Sequence, residues 1–174
     1  MPRRRSLLLT PVAFCLAACG PRSGTDEDPP PPDPSVAPEQ ASVAIPVARD
    51  LLAAAETALN DHFGPMTWED DDREQIGRGS AACSYSSVIR RCDAYLGHDP
   101  GTPEEIAEVL TPVLEDHGFG ALSTPTGGAG GWLSATSTRA GLDFTFRSKG
   151  YAEIRVSGRV QAEQCDLPGP SDGG

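Results

Sequence analysis

The sequence lacks a hydrophobic run long enough to cross a membrane as a helix. Its most continuous apolar stretch, residues 7–18, is interrupted by Thr10 and Pro11, whereas a bilayer core requires a helix of about 20 apolar residues. We therefore expect no permanent transmembrane helix. A short apolar stretch behind residues 3–5, which are all arginine, is instead typical of a signal peptide that is cleaved during export.

Positive charge is also scarce, because the chain has 14 Lys and Arg residues against 25 Asp and Glu residues and a formal net charge of −11. Lys149 is the only lysine. Nucleic-acid binding depends on a basic surface, so this composition argues against a nucleic-acid partner. An acidic protein is not drawn to anionic lipid headgroups either, so attachment to a membrane must come from acyl chains.

The motifs of common catalytic and cofactor sites are missing. Residues 127–131 are rich in glycine but precede a predicted strand, whereas a phosphate site uses the N-terminus of a helix. Residues 77–80 do not match the Gly-x-Ser-x-Gly turn of hydrolases. The acidic run Glu69–Asp72 with Glu74 offers oxygen ligands for Ca²⁺, but it lacks the EF-hand spacing and glycine, which favours a solvated acidic loop. We expect no catalytic residue and no cofactor.

Zinc-ligand spacing is missing as well. The three histidines, His62, His98 and His117, have no metal-ligand spacing among them. Eight residues separate Cys83 from Cys92, which is not a usual spacing for zinc ligands. His62 and His117 lie at the ends of predicted helices, where a positive charge is favourable. We therefore expect no metal site and interpret these side chains as structural.

The most informative stretch that is present is Leu16-Ala17-Ala18-Cys19, which has the residue types and position of a lipobox. Only a thiol can form the thioether to diacylglycerol, so a cysteine is chemically required there. We expect residues 1–18 to be a lipoprotein signal peptide and Cys19 to carry diacylglycerol and palmitate, which hold the protein at the outer face of the cytoplasmic membrane. The alternative is an ordinary signal peptide with a chance cysteine.

Residues 19–41 are predicted to form a disordered tether. They are rich in proline and acidic residues and contain little apolar material to bury. Proline runs favour an extended chain, so we interpret this segment as a spacer. A ligand for a proline-recognising module is the alternative. Residues 168–174 are predicted to be a disordered tail, which leaves 42–167 as the globular domain.

Two helices are predicted in that domain. The first extends over about 46–62, with Pro46 in its first turn, an apolar stripe on one face and Gly64 after its end. The second begins at a capping box, Thr102-Pro103-Glu104-Glu105, and ends before Gly118. Pro112 lies inside the second helix, so we expect a bend or a lost hydrogen bond there.

The remaining segments favour strands. Residues 66–72 are predicted to form a strand with Trp68 pointing inward, and residues 81–96 one long edge strand or a hairpin. Three further strands follow from alternating apolar residues and the turns between them: 132–138, 142–147 and 151–160. The sum is an α+β two-layer sandwich, with two helices packed on a mainly antiparallel sheet of four to five strands.

Three cysteines follow the predicted lipidation site, namely Cys83, Cys92 and Cys165. An exported domain permits disulfides, and three cysteines allow three pairings. A bridge between Cys83 and Cys165 would tie down the C-terminal end, and a bridge between Cys83 and Cys92 is the local alternative.

The chain resembles the LppA-type small lipoproteins of mycobacteria and related actinobacteria. The shared features are scattered from the lipobox to the last cysteine: Leu16–Cys19, Trp68 followed by Asp70–Asp72, Gly79-Ser80 before Cys83, Asp116–Phe119 at a helix end, and Ser157-Gly158 before Cys165. That family has one cysteine at each position matching Cys83 and Cys165, which implies a disulfide between them, whereas Cys92 is an addition. The resemblance implies fold and location but no defined activity.

Together these patterns predict a lipid-anchored, non-catalytic binding or interaction module of the cell envelope, with a protein or a lipid as its ligand. The alternatives are an envelope enzyme, either a hydrolase or a metal-dependent one, and a purely structural surface protein. Converging carboxylates with a histidine in one pocket would favour the enzyme. An open apolar groove between helices and sheet would favour lipid binding.

Overall fold

Residues 37–79 and 82–167 are the part of the chain that the structure, a computed structural model, describes. The predicted signal peptide, Cys19, most of the predicted tether and the predicted tail at 168–174 lie outside these residues. The described part contains two α-helices and an antiparallel sheet of eight strands, so the predicted α+β class is confirmed. No helix in residues 37–79 and 82–167 is long and apolar enough to cross a membrane.

The elements follow one another in a mixed order. The helices are α1 (Ala41–Phe63) and α2 (Pro103–Asp116). The strands are β1 (Glu69–Asp70), β2 (Gln75–Arg78), β3 (Cys83–Ser86), β4 (Arg90–Cys92), β5 (Thr126–Gly127), β6 (Leu133–Arg139), β7 (Leu142–Ser148) and β8 (Ala152–Val160).

Both helices lie on one face of the sheet, because their buried side chains form a single core with the inward side chains of the strands. The inward residues of the two longest central strands are fully buried, as their alternation predicts: Leu142, Phe144, Phe146, Ala152, Ile154 and Val156. Within the described part of the chain no helix covers the opposite face, which we call the outer face.

The sheet is larger than predicted. Its strands run in the order β5, β6, β7 and β8, after which β3 and β4 both pair with β8. β2 then pairs with β3, and β1 with β4. The expectation of four to five strands is wrong because the short, mostly exposed strands β2 and β5 were not predicted and because the segment 81–96 contains two strands, β3 and β4, along β8. Short exposed strands carry no apolar alternation, so only their pairing partners reveal them.

The predicted edge strand or hairpin at 81–96 is wrong as well. β3 and β4 lie one after the other along β8, inside the sheet, and pair with residues 157–160 and 152–154. Ser87 bridges the break between them. Its N–H donates to the carbonyl oxygen of Val156 at 2.8 Å, and its hydroxyl accepts the Val156 N–H at 2.9 Å. A fully buried serine thus replaces the interrupted ladder.

Helix α1 begins at Ala41, five residues before the predicted start at Pro46. The early turns are held by the end of β8, since Ala41 N–H donates to the Gln161 carbonyl at 2.7 Å and Gln161 N–H donates to the Glu39 carbonyl at 2.8 Å. Ala41, Ala44 and Ile45 are buried. This burial outweighs the hydrogen bond that Pro46 cannot donate.

The predicted start of α2 is confirmed. The Thr102 hydroxyl accepts the N–H of Glu105 at 3.3 Å, and the Glu105 carboxylate accepts the N–H of Thr102 at 2.8 Å. Pro112 lies within the helix, and Gly118 reverses the chain after it with a φ of +76°.

Trp68 packs partly buried against the core, as predicted, and its indole N–H donates to Asn60 Oδ1 at 3.1 Å. Of the residues predicted to form a strand at 66–72, only Glu69–Asp70 do so, and they pair with Arg91 and Arg90 of β4. The acidic run is exposed, as a solvated segment should be, but its first two residues form a strand instead of a loop.

Candidate binding surface

The outer face of the sheet is polar and carries charged side chains. On β7 and β8 these outward residues alternate with the buried ones and include Asp143, Arg147, Glu153, Arg155 and Arg159. Burial raises the pKa of the Asp143 carboxyl. The face therefore presents several arginines on a protein that is acidic as a whole.

Aromatic rings and guanidinium groups stack at one end of this face. The Trp132 and Tyr151 rings lie 5.3 Å apart between centroids and meet nearly at right angles, at 84°. The Arg91 guanidinium lies over Tyr151, with Cζ 3.8 Å from the ring centroid, and Arg147 lies over Trp132 at 4.3 Å. We call these four residues, with Glu153, the Arg–aromatic cluster.

The register of the sheet builds this cluster. Arg147, Glu153 and Arg91 are direct neighbours across β7, β8 and β4. Trp132 and Tyr151 immediately precede β6 and β8, where side chains offset by two residues still reach one another diagonally. Residues that are far apart in sequence thus meet on one face.

Glu153 is the charged centre of the cluster. It is 7% exposed, and its carboxylate accepts a hydrogen bond from Arg147 Nη1 at 3.2 Å. The side chains of Arg91 and Arg147 are 37% and 34% exposed, so both guanidinium groups face solvent beside a buried carboxylate. Part of their donor capacity is free for an external acceptor.

Arg155 adds an unpaired donor to the same face. Its Nε is buried and has no hydrogen-bond partner among the described residues. Neither Arg155 nor Arg159 forms an ion pair within residues 37–79 and 82–167. A buried donor without an acceptor is unfavourable, so this side chain is incompletely satisfied within the described part of the chain.

A second polar region lies between α1 and the sheet, around a cavity of about 290 Å³. Arg90 of β4 lies between Glu56 of α1 and Asp70 of β1 and donates to both carboxylates. The hydrogen bond to Glu56 is the main reason that the pKa of Arg90 is raised above its usual range. This bridge fixes α1 against the β1–β4 edge.

Arg49 and Glu74 also line this cavity, and Tyr85 contacts Glu74 from the core. Arg49 Nε donates to Glu74 Oε1 at 3.0 Å, and the buried Tyr85 hydroxyl donates to the same oxygen at 2.8 Å. Burial acts to raise the pKa of Glu74, but the hydrogen bonds from Arg49 and Tyr85 outweigh it and the pKa is lowered. Burial, followed by the bond to Glu74, raises the pKa of Tyr85.

These carboxylates converge on one cavity, but each of them is already held by arginine or tyrosine donors. No histidine lines this cavity among the described residues. Its apolar lining comes from Leu52, Ala53 and Val88. The arrangement joins a helix to a sheet and presents no free acid or base.

The structure places the other predicted residues as follows. Cys83 and Cys165 form a disulfide, with Cα atoms 5.4 Å apart, which is the pairing that the family resemblance implies. Cys92 is buried and unbridged. His117 Nδ1 lies 2.8 Å from the Val113 carbonyl oxygen at the end of α2. Within residues 37–79 and 82–167, no group of three or more His, Cys, Asp or Glu side chains is placed to hold a metal ion.

Sequence reasoning missed the Arg–aromatic cluster, although part of its signal was present. The alternation that predicts buried Ala152 and Ile154 also places Tyr151, Glu153 and Arg155 on the opposite face. The pairing of β8 with β4, which brings Arg91 beside Glu153, had no such signal.

No protein-family model, curated protein or solved structure matches the chain. Any inference about its function therefore rests on the local geometry and the sequence patterns.

Proposed function

We propose that this chain is a lipid-anchored, non-catalytic binding module at the outer face of the cytoplasmic membrane. Diacylglycerol on Cys19 attaches it, residues 19–41 act as its tether, and the outer face of the sheet takes up its ligand. The Cys83–Cys165 disulfide supports an exported location, because disulfides persist in oxidising compartments. Membership of the LppA-type lipoproteins is part of this proposal.

The observation that carries the binding role is the Arg–aromatic cluster on an uncovered sheet face. Arg91 and Arg147 are held in place by ring stacking, so less side-chain freedom is lost when they bind a ligand. Guanidinium groups in fixed positions favour a ligand with carboxylate or phosphate oxygens.

Site-specific photo-crosslinking in intact membranes tests this role. A photoreactive residue at Thr136, exposed on the outer face, should capture a protein or lipid that mass spectrometry identifies. The same residue at Glu108, exposed on α2, is the matched control on the opposite side of the domain. Equal capture at both positions, or capture at Glu108 alone, would contradict the assignment of the outer face.

Substitutions in the cluster give a second readout. Arg147→Gln and Arg91→Gln should each weaken capture at Thr136. Arg73→Gln, which changes an exposed arginine outside the cluster, should leave it unchanged. Capture that is insensitive to all three substitutions would show that the cluster does not bind the ligand.

A further inference from the structure

Positive charge recurs at regular intervals along β8 on the outer face. Arg155 and Arg159 lie four residues apart on this strand and both point outward. The two guanidinium groups of the Arg–aromatic cluster stack on rings at the level of Tyr151, which is four residues before Arg155. Arginine groups therefore occupy the levels of residues 151, 155 and 159, which are about 14 Å apart in an extended strand.

Negative charge occupies the levels between them. Glu153 lies on β8 between the first two arginine levels, and Asp143 of β7 is paired with Ser157, between the last two. An anion placed at either of these levels would be repelled by a carboxylate. A compact anion such as phosphate reaches only one arginine level, whereas an extended ligand with widely spaced charges reaches all three.

The rest of this surface is polar as well. The uncharged residues that point outward on β6, β7 and β8 are all hydroxyl side chains, namely Ser134, Thr136, Thr138, Thr145 and Ser157. An acyl chain would find no apolar groove among them. The core of an interface between folded proteins is apolar, so such an interface does not match this surface either. A hydrophilic, extended chain does.

Given the binding role proposed for the outer face, we propose that its ligand is an extended acidic segment of another protein, with Asp or Glu at every fourth position. An extended peptide has the same rise per residue as β8, so its side chains i, i+4 and i+8 face one side and match the three arginine levels. The planar guanidinium fork binds a carboxylate through two N–H groups. The chain as a whole is acidic, which disfavours binding of such a segment elsewhere.

Fluorescence anisotropy with the full chain and labelled serine peptides tests the ligand class. One peptide carries three glutamates four residues apart, its isomer carries the three glutamates side by side, and a third has glutamine in their place. The spaced peptide should bind about fivefold more tightly than its isomer, because the isomer reaches one arginine level and each exposed ion pair adds a small increment. The glutamine peptide should not bind. Equal affinity for the two isomers would overturn the proposed spacing.

Substitutions locate the bound peptide. Arg155→Gln and Arg159→Gln should each weaken binding of the spaced peptide by about two- to fivefold, the range expected for an exposed ion pair. Arg73→Gln removes the same charge from an exposed position outside the face and is the matched control. An equal loss in Arg73→Gln would show that only net charge matters and would overturn the site. Circular dichroism verifies that each variant is folded.

Other polyanions separate the ligand class from the binding role itself. Alginate, inorganic polyphosphate and phosphatidylglycerol vesicles should each compete poorly with the spaced peptide. Stronger competition by any of them would overturn the acidic protein segment. Crosslinking at Thr136 reports independently whether the outer face binds a ligand, so capture there without peptide binding would overturn the ligand class alone. Absence of both would overturn the binding role as well.

Discussion

At the scale of single residues, the contacts around Glu74 show how an acidic side chain becomes part of the scaffold. Glu74 Oε1 accepts hydrogen bonds from both Arg49 and the buried Tyr85 hydroxyl. A buried hydroxyl is tolerated only with a partner, so the position of Tyr85 depends on this carboxylate.

Tyr85→Phe should therefore destabilise the domain. The substitution removes one hydrogen bond to a charged group, which is worth about 1.5–3 kcal/mol in the free energy of unfolding. Urea denaturation measures it. Tyr95→Phe is the matched control, because the Tyr95 hydroxyl forms no hydrogen bond with any described residue. This substitution should change the free energy of unfolding by less than about 0.5 kcal/mol. Equal effects of the two substitutions would contradict the role of Glu74.

The same carboxylate predicts a pH dependence. Because the pKa of Glu74 is lowered in the folded state from an ordinary value of 4.5, its ionised form stabilises the fold above that pH. This contribution disappears as the pH falls through the lower, folded-state pKa. The difference in unfolding free energy between the wild type and Glu74→Gln should thus be largest near neutral pH and shrink below pH 4.5.

Asp143 provides a control of opposite sign for that measurement. Burial raises its pKa, so its ionisation disfavours the folded state at neutral pH. Asp143→Asn should stabilise the domain at neutral pH and lose this advantage in acid. If Glu74→Gln and Asp143→Asn respond to pH in the same direction, the explanation for one of them is wrong.

At the scale of elements, the capping box of α2 is the clearest link between local sequence and structure. Thr102 and Glu105 satisfy each other's N–H groups at the start of the helix. Thr102→Ala should lower the free energy of unfolding by about 1 kcal/mol, the typical effect of a lost N-cap. Chemical denaturation checks the value, and Glu108→Ala on the exposed face of α2 should stay within about 0.5 kcal/mol of the wild type.

The elements that sequence predicts well are those whose signals are local. The strict alternation of β7 and the capping box of α2 each need only a few neighbouring residues, and both are confirmed. The start of α1 depends on hydrogen bonds between Glu39, Ala41 and Gln161, which are distant in sequence. A proline at position 46 gives the opposite local signal, so the predicted boundary falls five residues late.

Strand pairing explains the remaining differences. β2 and β5 are short and mostly exposed, and they are recognised as strands only because β3 and β6 lie beside them. The Arg–aromatic cluster has the same origin, since its members meet across β4, β7 and β8. The alternation along each strand predicts that these side chains point outward. Only the pairing register shows that they lie next to one another.

At the scale of the whole molecule, the Cys83–Cys165 disulfide closes a loop of 82 residues that contains most of the domain. Such a bridge stabilises mainly by restricting the unfolded chain, with typical values of about 2–4 kcal/mol. The double substitution Cys83→Ala with Cys165→Ala should lower the unfolding free energy by that amount. Reductant should destabilise the wild type and leave the double variant unchanged.

The distribution of charge also belongs to this scale. Acidic side chains dominate the composition, yet arginines collect on the uncovered sheet face. An acidic exterior keeps the protein soluble. Because the arginines lie on the outer face, a ligand that they attract must reach this face to bind. The proposed anchor and tether would hold the domain near the membrane.

The decisive measurement is the mass of the intact protein isolated from membranes. We predict a polypeptide that begins at Cys19 and carries diacylglycerol, with the Cys83–Cys165 disulfide in place. An unmodified polypeptide that begins at any other residue, or one recovered from the cytosol, would contradict it.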